Sequence, residues 1–333
     1  MRMLQAAVFM LLTLLSSWAV AETLVVYTAR NEQLIKPVFD RFTAETGIEV
    51  KFLTDKEAPL LARLEAEAAR TPADLLMTVD AGNLWQAVQQ GVLAPVESTT
   101  LLENIPAHLR DPQNHWFGFS QRARTLIYNT SLAEPSQLST YAALAEPQWQ
   151  GKLCLRTSKK VYNQSLVAAS IATVGLEQTE AMVRGWVANL AAEPFASDDE
   201  VILAIASGRC AVGIVNTYYF GRLKRSQPEL PVALFWPDQA DGQAGVHVNV
   251  SGAGVTRHAK NPAAAKRFLE WLSAGEAQAM FASLNMEFPA NPSVPADPEV
   301  VAWGEFRAST IDVADSGRLQ AEAVKLMDRV GYR

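Results

Sequence analysis

The sequence predicts an exported α/β protein built from two lobes. Short runs of branched apolar residues alternate with amphipathic helical stretches, a pattern typical of strands that are covered by helices. Residues 22–333 are too many for one ordinary hydrophobic core. The first 21 residues resemble a secretion signal. Together these observations predict two α/β lobes, with a ligand cleft between them that closes about a hinge.

The export signal is predicted at residues 1–21. Met1-Arg2 precedes an apolar run, and Ala19-Val20-Ala21 matches the small-x-small cleavage pattern. The run is near the lower length limit for crossing a bilayer, and the acidic Glu22 follows where an anchor would carry basic residues. A membrane anchor is the alternative, but we predict cleavage after Ala21 and a soluble mature protein in the periplasm.

Strand and helix signals alternate regularly in the first lobe. A helical stripe of apolar residues begins at Leu34 and ends at Phe42, and Gly47 is a natural helix stop. This helix starts at Glu32, and further helices are predicted at residues 59–70 and 80–90. The predicted strands cover residues 24–27, 48–53 and 74–78.

The rest of the chain repeats the alternation less regularly. Residues 125–237 are most simply explained as a second α/β lobe. The predicted strands cover residues 125–128, 152–156, 210–216 and 248–255. The predicted helices cover residues 162–174, 180–190, 199–207, 218–225, 263–273, 276–284 and 319–330, with a proline-rich loop at 289–298.

The charge, the cysteines and the absence of enzyme motifs limit the classes of function that the sequence allows. The net charge of −6 without a basic stripe argues against a nucleic-acid partner. Cys154 and Cys210 each border a predicted strand, so they either form one disulfide, which we favour for an exported protein, or remain buried thiols. The sequence contains no Gly-x-Ser-x-Gly, His-Glu-x-x-His or Cys-x-x-Cys pattern, so we expect a protein without enzymatic activity.

Tyrosines at two strand-to-helix junctions are the strongest indication of a binding site. Tyr218-Tyr219 follows the predicted strand that ends at Asn216, and Tyr162 begins another helix of the same lobe. In open α/β sheets this edge faces the ligand crevice. Phenolate is a hard anionic donor with an ordinary pKa of about 10, so a strongly acidic cation such as Fe³⁺ suits it. The alternative is that these tyrosines pack at the edge of the lobe.

The sequence resembles the ferric-iron-binding proteins of bacterial iron ABC importers, which have the two-lobed periplasmic binding-protein fold of type 2. The resemblance runs from Thr23 to the C-terminus. It rests on motifs in a fixed order: residues 26–30, 72–74, 79–82, 122–128 and 162–165, the Asn-x-Tyr-Tyr of 216–219, and 249–255. It implies mainly parallel sheets, a first lobe of residues 22–121 and 249–295, and a second of 122–248 and 296–333.

The resemblance also implies a set of iron ligands. Tyr218 and Tyr219 match the paired iron-binding tyrosines of the family, and Tyr162 matches a third. Arg122 matches the arginine that holds a synergistic anion, here expected to be carbonate, since guanidinium binds such anions with two parallel hydrogen bonds. The alternative for Arg122 is a salt bridge between the lobes, and Arg124 could exchange roles with it.

The chain departs from the family pattern after its first strand. Many members carry His or His-Tyr where this sequence has Asn31-Glu32. Glu32 is a good hard ligand, so it is a candidate to close the iron site from the N-terminal lobe; otherwise it is a carboxylate that stabilises a helix start. Asn216 is expected to bind the anion or to order a tyrosine, or it is a turn residue. Asp80 is expected to cap a helix.

The same resemblance implies a partner, and another solute is the alternative for the same fold. A monomer that delivers ferric iron to the permease of an ABC importer is expected, with no nucleic-acid partner. The alternative is the same fold with another solute, such as a phosphonate, a polyamine, thiamine or sulfate. Those solutes need anion-binding loops, carboxylates or aromatic sandwiches, and they do not require three tyrosines at strand ends.

Overall fold

Residues 22–333 are described by the computed structural model, so the predicted export signal lies outside the described residues. The strands are β1 (Thr23–Thr28), β2 (Glu49–Thr54), β3 (Leu75–Val79), β4 (Phe117–Asn129), β5 (Leu153–Cys154), β6 (Val212–Asn216), β7 (Val232–Phe235), β8 (Val248–Val255) and β9 (Phe288–Pro289). The longer helices are α1 (Glu32–Thr46), α2 (Glu57–Glu67), α3 (Ala81–Gln89), α4 (Thr99–Asn104), α5 (Val161–Val174), α6 (Leu176–Ala188), α7 (Asp198–Ala206), α8 (Thr217–Ser226), α9 (Pro262–Leu272) and α10 (Gly275–Ser283). Three more follow: α11 (Pro298–Val301), α12 (Asp315–Arg318) and α13 (Gln320–Arg329). No helix in this range has the length and apolar character needed to cross a membrane.

The predicted α/β fold is confirmed, but its strand pairing is mixed. The strand order is β2-β1-β3-β8-β4-β6-β5, with β7 and β9 also paired to β4. β1 pairs in parallel with β2 and β3, and β5 pairs in parallel with β6. β8 and β4 pair antiparallel with each other and with their other neighbours. The chain passes between the lobes along β4 and returns along β8, so these two strands run in opposite directions and pair antiparallel. The expectation of mainly parallel sheets therefore does not hold for these two strands.

Strand β4 is the long strand that the sequence predicted only in part, whereas the short strands β7 and β9 were not predicted. Only residues 125–128 were predicted as strand, whereas the structure continues it back to Phe117. Polar residues in the first half, among them Ser120, Arg122 and Arg124, interrupt the apolar pattern, yet all three are buried. Their positions depend on tertiary contacts, which a periodicity argument does not include.

Buried side chains form two main groups, one for each lobe. The first contains residues from Leu24 to Phe119 and from Val250 to Phe281, with Ala290 and Val313. The second is built from residues between Leu126 and Val232, together with Ala323, Leu326 and Met327 of α13. The lobe boundaries at 121/122, 248/249 and 295/296 remain a prediction.

Helix α1 shows how local sequence positions one wall of the cleft. The predicted stripe is buried, including Ile35, Phe39 and Phe42. The side chain of Asn31 accepts a hydrogen bond from the backbone of Gln33 at 2.9 Å and so caps the helix. Gly47 ends it with φ of 74°, a conformation that glycine adopts readily. These caps hold the segment after β1 at the carboxyl end of the sheet.

The two cysteines are joined by a disulfide. Cys154 ends β5 and Cys210 precedes the neighbouring strand β6, which places their Cα atoms 5.8 Å apart. The pairing favoured from the sequence is therefore present in the structure. The bridge ties the two parallel strands of the second lobe together.

Removal of the disulfide should lower the free energy of unfolding, because the bridge restricts the conformations of the unfolded chain. The bridge closes a loop with a sequence separation of 56 residues. In the loop-entropy description this corresponds to about 4 kcal/mol. We expect the Cys154→Ala/Cys210→Ala double variant to lose up to that free energy of unfolding, measured by urea titration. An unchanged unfolding midpoint would contradict a stabilising bridge.

Candidate metal site

A cavity of about 590 Å³ lies between the two lobes. Its N-terminal wall comes from the segments after β1 and β2, and its C-terminal wall comes from the first turns of α5 and α8. Side chains of both charges and three tyrosines face it. The wall includes Arg30, Asn31, Glu32, Glu57, Arg122, Lys160, Tyr162, Tyr218, Tyr219, Arg222, Asn285 and Glu287.

The tyrosine pair lies where its sequence position predicted. β6 ends at Asn216 and α8 begins at Thr217, so both rings leave the first turn of a helix that directly follows a strand. The Tyr218 and Tyr219 ring centroids are 4.4 Å apart with an interplanar angle of 33°. Tyr218 is buried and Tyr219 is half-buried. The two rings therefore reach the cavity side by side.

Tyr162 joins the pair from the first turn of α5. It is 7% exposed, and its hydroxyl lies close to that of Tyr218. Burial, reinforced by Tyr219, raises the pKa of Tyr162, and burial with both neighbouring tyrosines raises the pKa of Tyr218. These two phenols are consequently protonated at neutral pH in the empty protein. A bound cation is needed to turn them into phenolates.

Cationic side chains surround the three rings. The ammonium of Lys160 lies 4.7 Å from the Tyr162 ring centroid, and the guanidinium of Arg222 lies 5.0 and 4.9 Å from the Tyr218 and Tyr219 centroids. Arg156 donates to the Tyr219 hydroxyl at 3.4 Å. Such charges favour the deprotonated oxygen, since an opposite charge nearby stabilises the charged form.

Of the two candidate arginines on β4, Arg122 lines the cavity and Arg124 does not. Arg122 is buried, and its two terminal nitrogens make long contacts of 3.4 Å with Ser251 Oγ and Asp80 Oδ2. Burial lowers the pKa of Arg122, but Asp80 and the neighbouring tyrosines outweigh that effect and raise it, so the guanidinium stays charged. Asp80 accepts from Gly82 N at the start of α3, which is the capping role expected of it.

Arg124 does not exchange roles with Arg122, because its donors are already engaged. Its guanidinium donates to Asn163 Oδ1 at 2.6 and 3.0 Å, to Asp198 Oδ2 at 3.1 Å and to Asn216 Oδ1 at 3.1 Å. Asn163 adjoins Tyr162, and Asn216 lies two residues before Tyr218. One buried guanidinium thus links the two segments that carry the tyrosines.

Asn216 lies behind Tyr218 and not in the cavity wall. Its Oδ1 accepts from Arg124, and its Nδ2 donates to the Tyr218 hydroxyl at 3.3 Å. Both ends of the amide are therefore engaged within the protein, and the contact with the Tyr218 hydroxyl matches the alternative in which Asn216 orders a tyrosine. Glu32 lies in the wall and is exposed to solvent in the first turn of α1.

Sequence reasoning missed Glu57, Lys160 and Arg222. Arg222 follows Tyr218 and Tyr219 at helical spacings of four and three, so an amphipathic reading of α8 could have found it. Glu57 follows β2, whose carboxyl end meets that of its parallel neighbour β1. Within residues 22–333 no three His, Cys, Asp or Glu side chains could together hold a metal ion, and none of the four histidines lines the cavity.

Comparison with known proteins places this architecture among solute-binding proteins. The sequence profile of the bacterial extracellular solute-binding proteins matches residues 38–308. The chain is 41% identical to the iron uptake protein A1 of Synechocystis sp. PCC 6803 over 92% of this chain and 86% of that protein. A Trichodesmium structure described as IdiA or FutA in complex with iron and citrate has 42% identity and a TM-score of 0.90, covering 93% of this chain and all of that one. The ferric iron-binding protein A of Mannheimia haemolytica, in an open conformation, has 33% identity and a TM-score of 0.88, over 94% and 99% of the two chains.

Proposed function

The chain belongs to the bacterial extracellular solute-binding proteins, and we propose that it captures ferric iron in the periplasm and delivers it to an ABC-type membrane importer. The observation that carries the proposal is the convergence of three tyrosines on one interlobe cavity. The names of the relatives, an iron uptake protein and ferric iron-binding proteins, support the same cargo. The role is transport without chemical conversion of the solute.

Tyr162, Tyr218 and Tyr219 are the proposed ligands. Three phenolates carry the charge that neutralises a trivalent ion, and phenolate is a hard donor. Zn²⁺ more often takes His or Cys, and Ca²⁺ takes carboxylates and carbonyls. Because the phenols of Tyr162 and Tyr218 hold their protons in the empty protein, only a strongly acidic cation displaces them. The site therefore selects Fe³⁺ over the divalent ions.

Arg122 is the proposed anion-binding residue. Arg122 lines the cavity, and its two terminal nitrogens make only long contacts of 3.4 Å with protein groups. Both nitrogens can therefore donate shorter hydrogen bonds to the oxygens of a carboxylate-like anion. Carbonate is the anion that the sequence resemblance implies. Loss or protonation of that anion would vacate coordination positions and loosen the metal.

Lobe closure couples capture to delivery. The tyrosines belong to the C-terminal wall, and Glu32 and Glu57 belong to the N-terminal wall. An ion bound by both walls stabilises the closed state, since only that state assembles all ligands. The closed monomer then docks on the permease. Reopening, loss of the anion, or one-electron reduction to Fe²⁺ by an external reductant releases the iron.

The proposal predicts a colour change that depends on the tyrosine pair. Ferric iron bound to phenolate absorbs visible light by ligand-to-metal charge transfer. Titration of the iron-free protein with ferric citrate in bicarbonate buffer should give an orange-to-red band that saturates at one equivalent. Tyr218→Phe and Tyr219→Phe should each remove most of the band and lower affinity at least about tenfold.

Tyr128→Phe is the matched control, because Tyr128 is buried and lies outside the cavity. It should keep the full band. Saturation without colour would indicate a site that lacks phenolate, and absence of binding would refute ferric iron as the cargo.

Iron binding should also release protons. Metal ligands must be deprotonated, so each phenol that coordinates gives up its proton, and three coordinating tyrosines release about three protons per ion. Affinity should therefore rise with pH below the raised pKa of Tyr162 and Tyr218. Proton release is measured in weakly buffered solution with an indicator dye, after subtraction of the protons that the iron chelate exchanges. Tyr162→Phe should release about one proton fewer; an unchanged count would exclude Tyr162 as a ligand.

A further inference from the structure

Three glutamates of the N-terminal lobe line the cavity. Glu287 is buried in an ion pair with Arg30, and the other two, Glu32 and Glu57, differ in how they are held. Glu32, which the sequence indicated as the closing ligand, is exposed and lies in the first turn of α1. Glu57 lies in the first turn of α2, and its side chain is only 21% exposed. A carboxylate that is already partly desolvated loses less hydration when it binds a metal. Burial therefore favours Glu57 over Glu32.

Glu57 makes an ion pair across the cavity. Its Oε1 lies 3.5 Å from the ammonium of Lys160, which belongs to the opposite lobe and precedes α5. That ammonium lies 4.7 Å from the Tyr162 ring centroid. Lys160 thus contacts both a carboxylate of one lobe and a proposed iron-binding tyrosine of the other. A cation occupies the space between these two groups in the empty protein.

Lys160 therefore lies between two oxygen groups, the Glu57 carboxylate and the phenol of Tyr162. A trivalent ion at this place would stabilise both oxygen groups far more than an ammonium does. Lysine is suited to give way, because its charge is a compact ammonium on a flexible stem.

We propose that Glu57, and not Glu32, supplies the N-terminal lobe's carboxylate ligand, and that Lys160 occupies the cation position until ferric iron displaces it. This inference rests on the proposed function. On binding, a Glu57 oxygen exchanges its ion pair with Lys160 for a bond to the metal, and the ammonium turns towards solvent. Glu57 then holds the two lobes together through the iron.

Five variants test the exchange. Ferric affinity is measured by competition with citrate, and the charge-transfer band is recorded at saturation. Glu57→Gln and Glu57→Asp should each lower affinity at least about tenfold and shift the band, since the first removes the anionic donor and the second shortens its reach. Lys160→Met should raise affinity, because the competing cation is gone. Glu32→Gln should lose less than Glu57→Gln.

Glu65→Gln is the matched control. Glu65 is an exposed carboxylate of the same helix as Glu57 and lies outside the cavity. Its variant removes the same unit of charge and should leave affinity within about twofold and the band unchanged. Circular dichroism of all variants confirms that the fold is retained.

Three outcomes would overturn the inference. If Glu57→Asp keeps wild-type affinity while Glu57→Gln loses it, Glu57 contributes charge alone. If Lys160→Met weakens binding as much as Glu57→Gln with an unchanged band, the pair is only a latch between the lobes. If Glu32→Gln shows the larger loss and the band shift, Glu32 is the ligand. A colourless wild-type protein would instead refute the proposed tyrosinate site itself, so the two failures are distinguishable.

Discussion

The buried guanidinium of Arg124 determines where the tyrosines lie. It joins the first turn of α5 through Asn163, the start of α7 through Asp198, and the end of β6 through Asn216. A buried charge is tolerated only when it is paired and fully hydrogen-bonded, so these partners are held in fixed positions. Tyr162 precedes Asn163 and Tyr218 follows Asn216 by two residues, so the same contacts fix the positions of these two tyrosines. The positions of the side chains in the C-terminal wall therefore depend on contacts behind the cavity and not on contacts within it.

The charges around the cavity are compatible with the proposed metal site. While the cavity is empty, the protonated phenols carry no charge beside the surrounding cationic side chains. The Glu57–Lys160 ion pair balances the charges at the opening between the lobes. Replacement of the phenolic protons by a trivalent ion converts the rings into anions that the same cations stabilise. In the proposed site, a hard, highly charged cation would bind with an anion on Arg122, and the energetic cost of deprotonating the phenols would provide the selectivity.

Sequence reasoning predicted most of the fold, and it identified several of the residues that line the cavity. The strand and helix positions of the first lobe followed from apolar periodicity, and the tyrosine pair was identifiable because a strand of small and branched residues runs directly into a helix. The first part of the long strand β4 was missed because buried polar residues, two of them arginines, break its apolar pattern. Glu57 and Lys160 were missed because their pairing spans about 100 residues and two lobes, which only the three-dimensional fold brings together. Arg122 was chosen over Arg124 on family resemblance, and the hydrogen bonds of Arg124 supply the physical reason.

The most direct test of the central claim is anomalous diffraction at the iron K-edge from crystals grown after ferric loading. The account predicts one strong peak within bonding distance of the hydroxyl oxygens of Tyr162, Tyr218 and Tyr219, in the cavity between the lobes. A peak at any other position, or none in protein that was loaded to one equivalent, would contradict the tyrosinate site.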